Sequence, residues 1–596
     1  MSRTVSDQVV SILREWGVRR VFGYPGDGIN GVMGALHRAT DEIEFILARH
    51  EEAAAFMAVG HAKFTGELGV CIATSGPGAV HLLNGLYDAK LDHQPVLAIV
   101  GQQSRSALGG SYQQEIDLTG LFKDVAGEYV HMVTVPEQLP NVVDRAARIA
   151  VSRRTVTCLI IPNDVQSLDA VEPEDLPREH GIVPGGSGVR EPEVVPSMGD
   201  LQQAADVLNR GERVAMLIGS GARGAADRVV RAADALGAGV AKALLGKDVL
   251  PDDLPFVTGS IGLLGTKPSD RMMAGCDTLF MVGSSFPYSE FLPEPGSVRG
   301  VQIDIDPTMI GIRYPMDLSL VGDAARTLDS LLPMLVPKTD RTWRKTIESD
   351  IDEWWGLLDA QARAEAEPLN PQLVFAELSP RLPDRSIVTV DVGSSTIWYA
   401  RHVRLRSGMR ASVSGTLASM GCAVPYAVAA KLAEPDRPVV ALVGDGAMQM
   451  NGINELITVD QYRDRWSDPT FVVLVLHNND LNMVTWEQRA MEGDPKFDAS
   501  QRIVDFPYAR YAELLGFEGI RVDRPEALGD AWDRAFAAGR PALIEAVTDP
   551  NVPPMPPHVS WEQMANMMRA TLGGDTDRAG YVRQGIRSVL AGILDR

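Results

Sequence analysis

The chain has 596 residues, of which 45% are hydrophobic and 22% are charged, so it contains enough apolar material for several packed cores. Its 56 basic and 78 acidic residues give a formal net charge of −22, which argues against a nucleic-acid partner. The four cysteines lie far apart, which predicts reduced core residues rather than disulfides or a zinc site. The sequence contains neither a signal peptide nor an apolar run of about 20 residues, so we expect a cytoplasmic protein.

Short β-branched runs alternate with Ala- and Leu-rich stretches along most of the chain. The runs predict buried parallel strands, and the stretches between them predict helices. This alternation indicates α/β layers, so the predicted fold is three consecutive parallel-sheet α/β domains. Predicted strands include residues 96–100, 156–161, 214–218, 278–282, 387–390, 439–443 and 471–476, and predicted helices include 52–62, 201–209 and 424–433.

Two changes in composition divide the chain into domains. Residues 171–198 are rich in Pro, Gly and charged side chains, which predicts a linker. Residues 336–370 contain a charged helical stretch followed by EAEPLNP, which predicts a second linker. The predicted α/β domains span residues 1–170, 199–335 and 371–552, and a helical tail spans residues 553–596.

The run VVALVGDGAMQMNGINELITVD, from residue 439 to 460, ends a predicted strand in Gly444-Asp445-Gly446 and continues as a helix. Ligands of α/β proteins bind at the carboxyl ends of parallel strands, and a helix N-terminus there favours phosphate. An aspartate beside a phosphate needs a divalent cation between them, and Mg²⁺ accepts such oxygen ligands. Asn479 follows the next predicted strand, so its side chain and the Leu481 carbonyl would complete the metal site. Taken alone, the Gly-Asp-Gly run is more typical of an ordinary turn.

A Gly-Asp-Gly turn followed by a strand and an Asn-Asn pair closely resembles the metal–diphosphate motif of thiamine diphosphate enzymes. The resemblance implies Asp445, Asn479 and Leu481 as ligands of Mg²⁺. The interval between Asp445 and Asn479 is longer than is usual in the family, and we interpret residues 462–469 as a surface insertion. The resemblance also implies cofactor contacts from Gly444, Gly446, Ala447 and Met448.

Glu51 and Glu52 follow His50 where a predicted strand gives way to an Ala-rich helix. In thiamine diphosphate enzymes a glutamate at this place hydrogen-bonds the pyrimidine ring and promotes the ylid that attacks a 2-keto group. The resemblance implies Glu51 for this role because it directly follows His50; a carboxylate that only stabilises the first helical turn is the alternative. Other segments that resemble the family imply cofactor contacts from Gly26, Thr74, Gly76, Pro77, Asn84, Gly393, Ser394, Ser395, Ala418 and Met420, the last under the thiazolium ring.

The predicted middle domain contains Gly219, Gly221 and Gly224 in GxGxxG spacing after a strand. No acidic residue ends the next strand as NAD binding requires. The surrounding segments resemble the flavin-binding middle domain of pyruvate oxidases and acetohydroxyacid synthases, which implies FAD; a domain that holds no flavin is the alternative. The candidate FAD residues are Gly219, Gly221, Gly283, Ser284, Phe286, Pro287, Tyr288 and Asp304.

Two further segments bear on the reaction. Gln114 lies in a stretch that resembles the substrate-side loop of both subfamilies, although Gln113 replaces the usual Phe. The stretch LNMVTWEQRAMEG resembles one in acetohydroxyacid synthases whose Trp helps select the second keto acid; Trp486 as a packing residue is the alternative.

The C-terminal tail resembles, in its placement, the extension of the membrane-associated pyruvate:quinone oxidoreductase. An apolar face predicts that the tail packs on the protein body or on a neighbouring subunit. Peripheral contact with the inner face of a membrane is the alternative. The predicted face comprises Tyr581, Val582, Ile586, Val589, Leu590, Ile593 and Leu594.

Together these resemblances imply thiamine diphosphate- and Mg²⁺-dependent decarboxylation of pyruvate or a related 2-oxo acid. The hydroxyethyl-thiamine intermediate would then be oxidised by a flavin, as in pyruvate oxidase and pyruvate:quinone oxidoreductase. Glu51, Gln114 and Met420 are the implied catalytic residues. The family also implies a homodimer or homotetramer with the active site between chains. Two alternatives remain open: an acetohydroxyacid (acetolactate) synthase-like carboligase with structural FAD, and a catalytically inactive scaffold or flavin-binding regulator.

Overall fold

A computed structural model of the chain describes residues 3–172, 175–176, 186, 188, 193–554, 556 and 560–594, without the side chains of residues 588–594. Most of the predicted linker 171–198 lies outside the described residues. The chain forms two compact units. The first contains Met1–Glu191, Val413–Ala441 and Ala447–Phe471, and the second contains Pro192–Ser412, Leu442–Gly446 and Val472–Arg596.

The N-terminal sheet has six strands in the order β2-β1-β3-β4-β6-β5. These are β1 (Arg20–Gly23), β2 (Glu44–Leu47), β3 (Gly69–Ala73), β4 (Val96–Gln102), β5 (Val130–Met132) and β6 (Val156–Pro162). The helices are α1 (Val5–Glu15), α2 (Asn30–Arg38), α3 (Glu51–Thr65), α4 (Pro77–His81), α5 (Leu83–Leu91), α6 (Leu118–Phe122), α7 (Leu139–Arg153) and α8 (Asn163–Gln166).

The middle sheet also has six strands, in the order β12-β11-β10-β7-β8-β9. These are β7 (Val214–Ile218), β8 (Gly239–Lys242), β9 (Val257–Ser260), β10 (Thr278–Val282), β11 (Arg299–Asp304) and β12 (Leu318–Val321). The helices are α9 (Met198–Arg210), α10 (Ala226–Leu236), α11 (Lys267–Gly275), α12 (Ala324–Leu331) and, after the sheet, α13 (Thr342–Arg363).

The third sheet has the strand order β14-β13-β15-β16-β18-β17. Its strands are β13 (Ile387–Val390), β14 (Arg410–Val413), β15 (Val439–Gly444), β16 (Phe471–His477), β17 (Glu518–Val522) and β18 (Ala542–Val547). The helices are α14 (Pro371–Leu378), α15 (Ser394–His402), α16 (Ala423–Ala433), α17 (Asp445–Ala447), α18 (Ile453–Tyr462), α19 (Asn482–Glu487), α20 (Asp498–Gln501), α21 (Tyr508–Leu514) and α22 (Leu528–Ala537). The tail adds α23 (Trp561–Leu572) and α24 (Arg578–Leu594).

The apolar runs form strands because both faces of each sheet are covered. In β7, Val214, Met216 and Ile218 pack into one core cluster, whereas Ala215 and Leu217 pack into another. This alternation is what a pleated strand between two helical layers requires. The predicted fold of three parallel-sheet α/β domains is therefore confirmed. The four cysteines are free and buried, as the sequence predicts.

The predicted surface insertion at residues 462–469 is only partly exposed. Asp464 and Arg465 are exposed, but Tyr462 and Trp466 are buried. Trp466 stacks on Phe471 with ring centroids 5.3 Å apart, and the Tyr462 hydroxyl accepts a hydrogen bond from the Leu47 N–H (2.9 Å). The insertion is thus anchored in the first unit by two aromatic rings.

Among the described residues, no helix has both the length and the apolar character needed to cross a bilayer.

Candidate active site

The third sheet reverses its strand order between β13 and β15, because β14 lies beyond β13 on one side and β16 lies beyond β15 on the other. Ligands of open α/β sheets bind at such a switch point, outside the carboxyl ends of the strands. Three neighbouring strand ends here carry predicted site residues: Gly393 and Ser394 after β13, Asp445 after β15 and Asn479 after β16.

Asp445 is the buried carboxylate at this switch point, with 2% of its surface exposed. Its Oδ2 accepts hydrogen bonds from the N–H groups of Asn478 (2.8 Å) and Asn479 (2.6 Å), and its Oδ1 accepts one from Gly446 (2.9 Å). Burial raises the pKa of Asp445 to about 6, although these N–H groups favour the ionised form. A divalent cation at the carboxylate would offset the desolvation, so this side chain suits a metal site.

Asn479 follows β16 with a left-handed backbone (φ 56°), which is uncommon for a residue other than glycine. Its Oδ1 lies 2.8 Å from His477 Nε2, and His477 Nδ1 lies 3.0 Å from Glu545 Oε1. Such a histidine–carboxylate pair fixes the orientation of a side chain beside a metal site. Leu481 precedes α19, and its carbonyl accepts the N–H of Thr485 (3.0 Å).

The backbone beside Asp445 is open. A Cβ added at Gly393 or Gly444 would meet no heavy atom of the described residues within 4 Å. Gly393 has a φ of 128° and precedes α15, whose N-terminus begins with Ser394 and Ser395. An approachable helix N-terminus beside a carboxylate and an amide fits a diphosphate held through Mg²⁺, so these residues fit thiamine diphosphate with its metal.

In the first unit, Glu51 is the first residue of α3. The preceding His50 accepts the Glu52 N–H at Nδ1 (3.1 Å), which caps the helix. The Glu51 side chain is 12% exposed, and its Oε2 lies 2.9 Å from Nδ1 of His81. Its Oε1 lies 3.2 Å from the position that a Cβ on Gly78 would occupy. Glu51 Oε1 therefore faces Gly78, which directly follows the predicted cofactor residues Gly76 and Pro77.

Glu52 has a different partner. Its Oε1 accepts a hydrogen bond from Asn84 Nδ2 (2.5 Å), and the same nitrogen lies 2.8 Å from Ser419 Oγ. The predicted cofactor residue Asn84 is therefore brought to Glu52 and to the segment around Ala418, rather than to Glu51.

The remaining predicted residues of the N-terminal domain lie together at the ends of β1 and β3. A Cβ on Gly26 would lie 2.6 Å from Thr74, and Thr74 Oγ1 accepts the Gly28 N–H (3.0 Å). Gly76 has a φ of 63° and precedes Pro77, the first residue of α4. A Cβ on Gly76 would lie 2.8 Å from the Cβ of Gln114, which itself has a φ of 62°. Gln114 is thus held in a strained conformation against the predicted cofactor residue Gly76.

Ala418 and Met420 lie on a short segment before α16. Ala418 is exposed with a φ of 56°, and Met420 is half-buried. Both are therefore accessible to a ligand in the first unit. By contrast, the side chains of the predicted cofactor residues Ala447 and Met448 are buried.

Models of known families match all three domains. The thiamine pyrophosphate enzyme N-terminal TPP binding domain matches residues 3–121, the central domain matches 201–331, and the C-terminal TPP binding domain matches 391–546. Several curated relatives also align over nearly the whole chain at 30% identity or more. The chain belongs to the thiamine pyrophosphate enzyme family. The resemblance stated from the sequence is thereby confirmed.

The relatives of this thiamine pyrophosphate enzyme include both subfamilies that the sequence suggests. The thiamine pyrophosphate-containing protein YdaP of Bacillus subtilis is 36% identical over 561 residues, which covers 94% of each chain. Pyruvate oxidase of Lactiplantibacillus plantarum is 30% identical, covering 90% of this chain and 87% of its own. The acetolactate synthase isozyme 2 large subunit of Escherichia coli is 33% identical, covering 93% and 98% respectively.

The middle domain of this thiamine pyrophosphate enzyme has its own switch point, between β7 and β10. Here the glycines pack on one another: a Cβ on Gly219 would lie 2.4 Å from the Gly283 oxygen, and one on Gly221 would lie 2.9 Å from the Gly283 Cα. The N–H of Gly221 also donates to the Gly283 oxygen (3.1 Å). These glycines are thus explained by close loop packing, whether or not a nucleotide binds.

The other candidate FAD residues lie along the same edge of the middle sheet. Ser284 Oγ accepts the Phe286 N–H (3.3 Å), and Asp304, at the end of β11, accepts the Asp306 N–H (3.0 Å). The Tyr288 ring, after Pro287, is 41% exposed and packs edge-on against Phe286. An exposed aromatic ring at a switch point is a surface on which a flavin ring could stack.

Trp486 packs inside the second unit. It is 4% exposed, its Nε1 donates to the Pro550 carbonyl (3.3 Å), and its ring meets Tyr581 of the tail edge-on. Arg489 beside it forms a buried ion pair with Asp575 (2.8 Å). Tyr581 is therefore buried on the second unit, as predicted for the tail.

The other residues of the predicted apolar face of the tail do not share the burial of Tyr581. Val582 and Ile586 are exposed, and the side chains of Val589, Leu590, Ile593 and Leu594 lie outside the described residues. The contacts of Tyr581 lend no support to the membrane alternative.

Sequence reasoning missed two contacts of the site, namely His81 against Glu51 and His477 against Asn479. His81 contacts a residue 30 positions away in the chain, whereas His477 contacts a residue two positions away at the end of β16. His81 stands between two predicted residues, Pro77 and Asn84, and this position was the one signal that the sequence offered.

Proposed function

We propose that this enzyme decarboxylates pyruvate or a related 2-oxo acid with thiamine diphosphate and Mg²⁺, and passes the electrons of the remaining two-carbon fragment to FAD. The observation that carries the proposal is the switch point of the third sheet. There the open N-terminus of α15, the buried Asp445 and Asn479, which His477 orients, lie at the ends of neighbouring strands. Pyruvate oxidase among the relatives supports the substrate class and the oxidative outcome.

When bound, thiamine diphosphate supplies a nucleophilic carbon that attacks the 2-keto group and accepts the electron pair released with CO₂. Asp445 and Asn479 would hold Mg²⁺, with the Leu481 carbonyl as the third protein ligand. The N-terminus of α15 would bind the diphosphate oxygens. Glu51 would hold a proton at Oε1, because its Oε2 is engaged by His81.

The environment of Trp486 favours oxidation over carboligation. The carboligase alternative uses a tryptophan of this segment to select a second keto acid. Here the indole N–H is bonded to the Pro550 carbonyl and the ring packs on Tyr581. These two contacts account for the burial of Trp486 without any role in selecting a substrate. Acetolactate synthases among the relatives keep the carboligase as the second candidate.

The assembly belongs to the same proposal. Thiamine diphosphate enzymes bind the cofactor between the glutamate domain of one chain and the metal domain of another. We therefore propose a homodimer or homotetramer that completes the site.

The test uses the purified full chain loaded with thiamine diphosphate and Mg²⁺. Its visible spectrum is recorded, and pyruvate is added without oxygen. Rapid bleaching of a flavin band supports oxidation by FAD. A yellow protein that never bleaches but releases acetolactate supports the carboligase, and a colourless protein removes the flavin from the proposal.

A further inference from the structure

A buried cluster of charges joins α3 and α5 to the segment 413–420 within the first unit. Lys63, near the end of α3, donates from Nζ to Asp92 Oδ2 (2.7 Å) and to the hydroxyl of Tyr426 (2.9 Å). The Lys63 and Asp92 side chains are 3% and 0% exposed. A second carboxylate, Asp88, lies 3.8 Å from Lys63 Nζ and accepts a hydrogen bond from Tyr426. Burying charged side chains costs desolvation free energy, and apolar side chains of the same volume often replace such a pair without loss of stability. A buried ion pair therefore calls for a function that apolar side chains could not serve.

The charged side chains of this cluster form hydrogen bonds to backbone groups of the segment 413–420. Lys63 Nζ donates to the carbonyl of Val413 (2.7 Å). Asp92 accepts the N–H of Gly415 at Oδ2 (3.0 Å) and the N–H of Thr416 at Oδ1 (2.9 Å). The ion pair therefore fixes three backbone groups within four residues, and an apolar pair of the same volume would offer none of these bonds.

Two further hydrogen bonds fix the exposed end of the segment, near Ala418. The N–H of Ser419 donates to Ser414 Oγ (3.0 Å), which closes the turn that contains Ala418. Ser419 Oγ lies 2.8 Å from Nδ2 of Asn84, on α5. A left-handed φ of 56° at Ala418 is unfavourable for alanine and persists only where the surroundings impose it.

We infer that Lys63 and Asp92 are positioning residues of the active site, whose ion pair sets the backbone from which Ala418 and Met420 meet the thiamine cofactor. The inference rests on the proposed function, because it concerns the same cofactor. Neither residue touches reacting atoms; both act through the segment 413–420.

The test compares Asp92→Asn with the parent chain. A neutral amide weakens the pairing with Lys63 and offers one acceptor oxygen where the carboxylate offers two. We expect hydrogen exchange of the Gly415 and Thr416 amides, measured without cofactor, to become about tenfold faster. The Kd for thiamine diphosphate in Mg²⁺ should weaken by about tenfold or more. Lys63→Met should act in the same direction, because it leaves Asp92 without its cation.

Asp252→Asn is the matched control, since Asp252 is a buried partner of Lys242 (2.7 Å) that also accepts the Leu405 N–H (2.8 Å) in the second unit. It should lower the Tm without changing exchange at Gly415 and Thr416. Unchanged exchange in Asp92→Asn, or an unchanged Kd, would overturn the inference. A parent chain that binds no thiamine diphosphate would instead overturn the proposed function, and the inference with it.

Discussion

The middle sheet and the third sheet each reverse their strand order between two neighbouring strands, and glycines stand at both points. In the third sheet the Cβ positions of Gly393 and Gly444 face open space. In the middle sheet the Cβ positions of Gly219 and Gly221 are filled by the backbone at Gly283. Glycine spacing is thus the same kind of signal with two physical causes: room for a ligand in one place and close approach of two loops in the other.

The two switch points also differ in the carboxylates that they contain. The third sheet adds Asp445, a buried carboxylate that follows Gly444, whose Cβ position faces open space. At the middle switch point, the carboxylate of Asp304 is half-buried and bonded to the N–H two residues on. The comparison predicts that the third site binds its cofactor through a metal, whereas the middle site depends on contacts with a ring system. Five substitutions test this contrast between the two sites.

Asp445→Asn should have the largest effect. The amide keeps an oxygen that can face the metal but lacks the negative charge that would hold Mg²⁺ beside the diphosphate, so turnover with pyruvate should fall about a thousandfold, as measured by CO₂ release. Flavin content, read from the visible spectrum of the same preparation, should not change. Loss of flavin together with turnover would contradict the independence of the two sites.

Glu51→Gln should lower turnover about a hundredfold with cofactor binding retained, because an amide cannot exchange the proton that Oε1 is proposed to hold. Glu52→Gln is the matched control, since a glutamine oxygen still accepts from Asn84. A large loss in the control with little loss in Glu51→Gln would transfer the role to Glu52.

Gly221→Ala should destabilise the middle domain by about 2 kcal/mol, because its Cβ would lie 2.9 Å from the Cα of Gly283. Flavin content should fall while the Kd for thiamine diphosphate stays unchanged. Gly224→Ala, whose Cβ meets no described heavy atom within 4 Å, provides the control and should leave the Tm alone. Equal effects of the two alanines would remove the packing explanation.

Gly444→Ala should weaken thiamine diphosphate binding about tenfold while leaving the Tm unchanged. The fold has room for this methyl group, so only a ligand that approaches the backbone would meet it. Calorimetric titration measures the affinity. A lower Tm with unchanged affinity would show that the space serves the fold rather than a ligand.

Glu455→Gln should leave turnover unchanged and alter only the pH dependence of stability. Burial raises the pKa of Glu455 to about 7, so the folded protein keeps a proton that the unfolded chain releases near pH 4.5. Stability is therefore lost as the pH rises from about 4.5 to about 7, by about 3 kcal/mol. The glutamine variant should lack this loss in denaturant titrations at several pH values. Loss of Mg²⁺ binding in this variant would contradict the account, which gives Glu455 no part in the metal site.

The fold was predictable because the strands are buried on both faces and therefore appear as unbroken apolar runs, such as residues 214–218 and 278–282. The positions of Asp445 and Asn479 at the edge of the sheet were predictable because each lies within three residues of the end of such a run. The same local logic failed at residues 462–469, where polar neighbours concealed the buried rings of Tyr462 and Trp466.

What stayed hidden depends on contacts between distant segments. The bond between His81 and Glu51 and the filling of the Gly219 Cβ position by Gly283 join residues 30 and 64 positions apart in the chain. No periodicity or spacing encodes such pairs, since they arise only once neighbouring strands have paired. For the same reason, GxGxxG spacing suggested a nucleotide where packing already accounts for two of the glycines.

The most direct test of the account is a calorimetric titration of the full chain with thiamine diphosphate, first in Mg²⁺ and then with the divalent cations chelated. The account predicts binding in Mg²⁺ and at least about a hundredfold weaker binding without it, because Asp445 and the diphosphate repel one another unless a cation joins them. Equal affinity under both conditions would contradict the metal–diphosphate site at the third switch point.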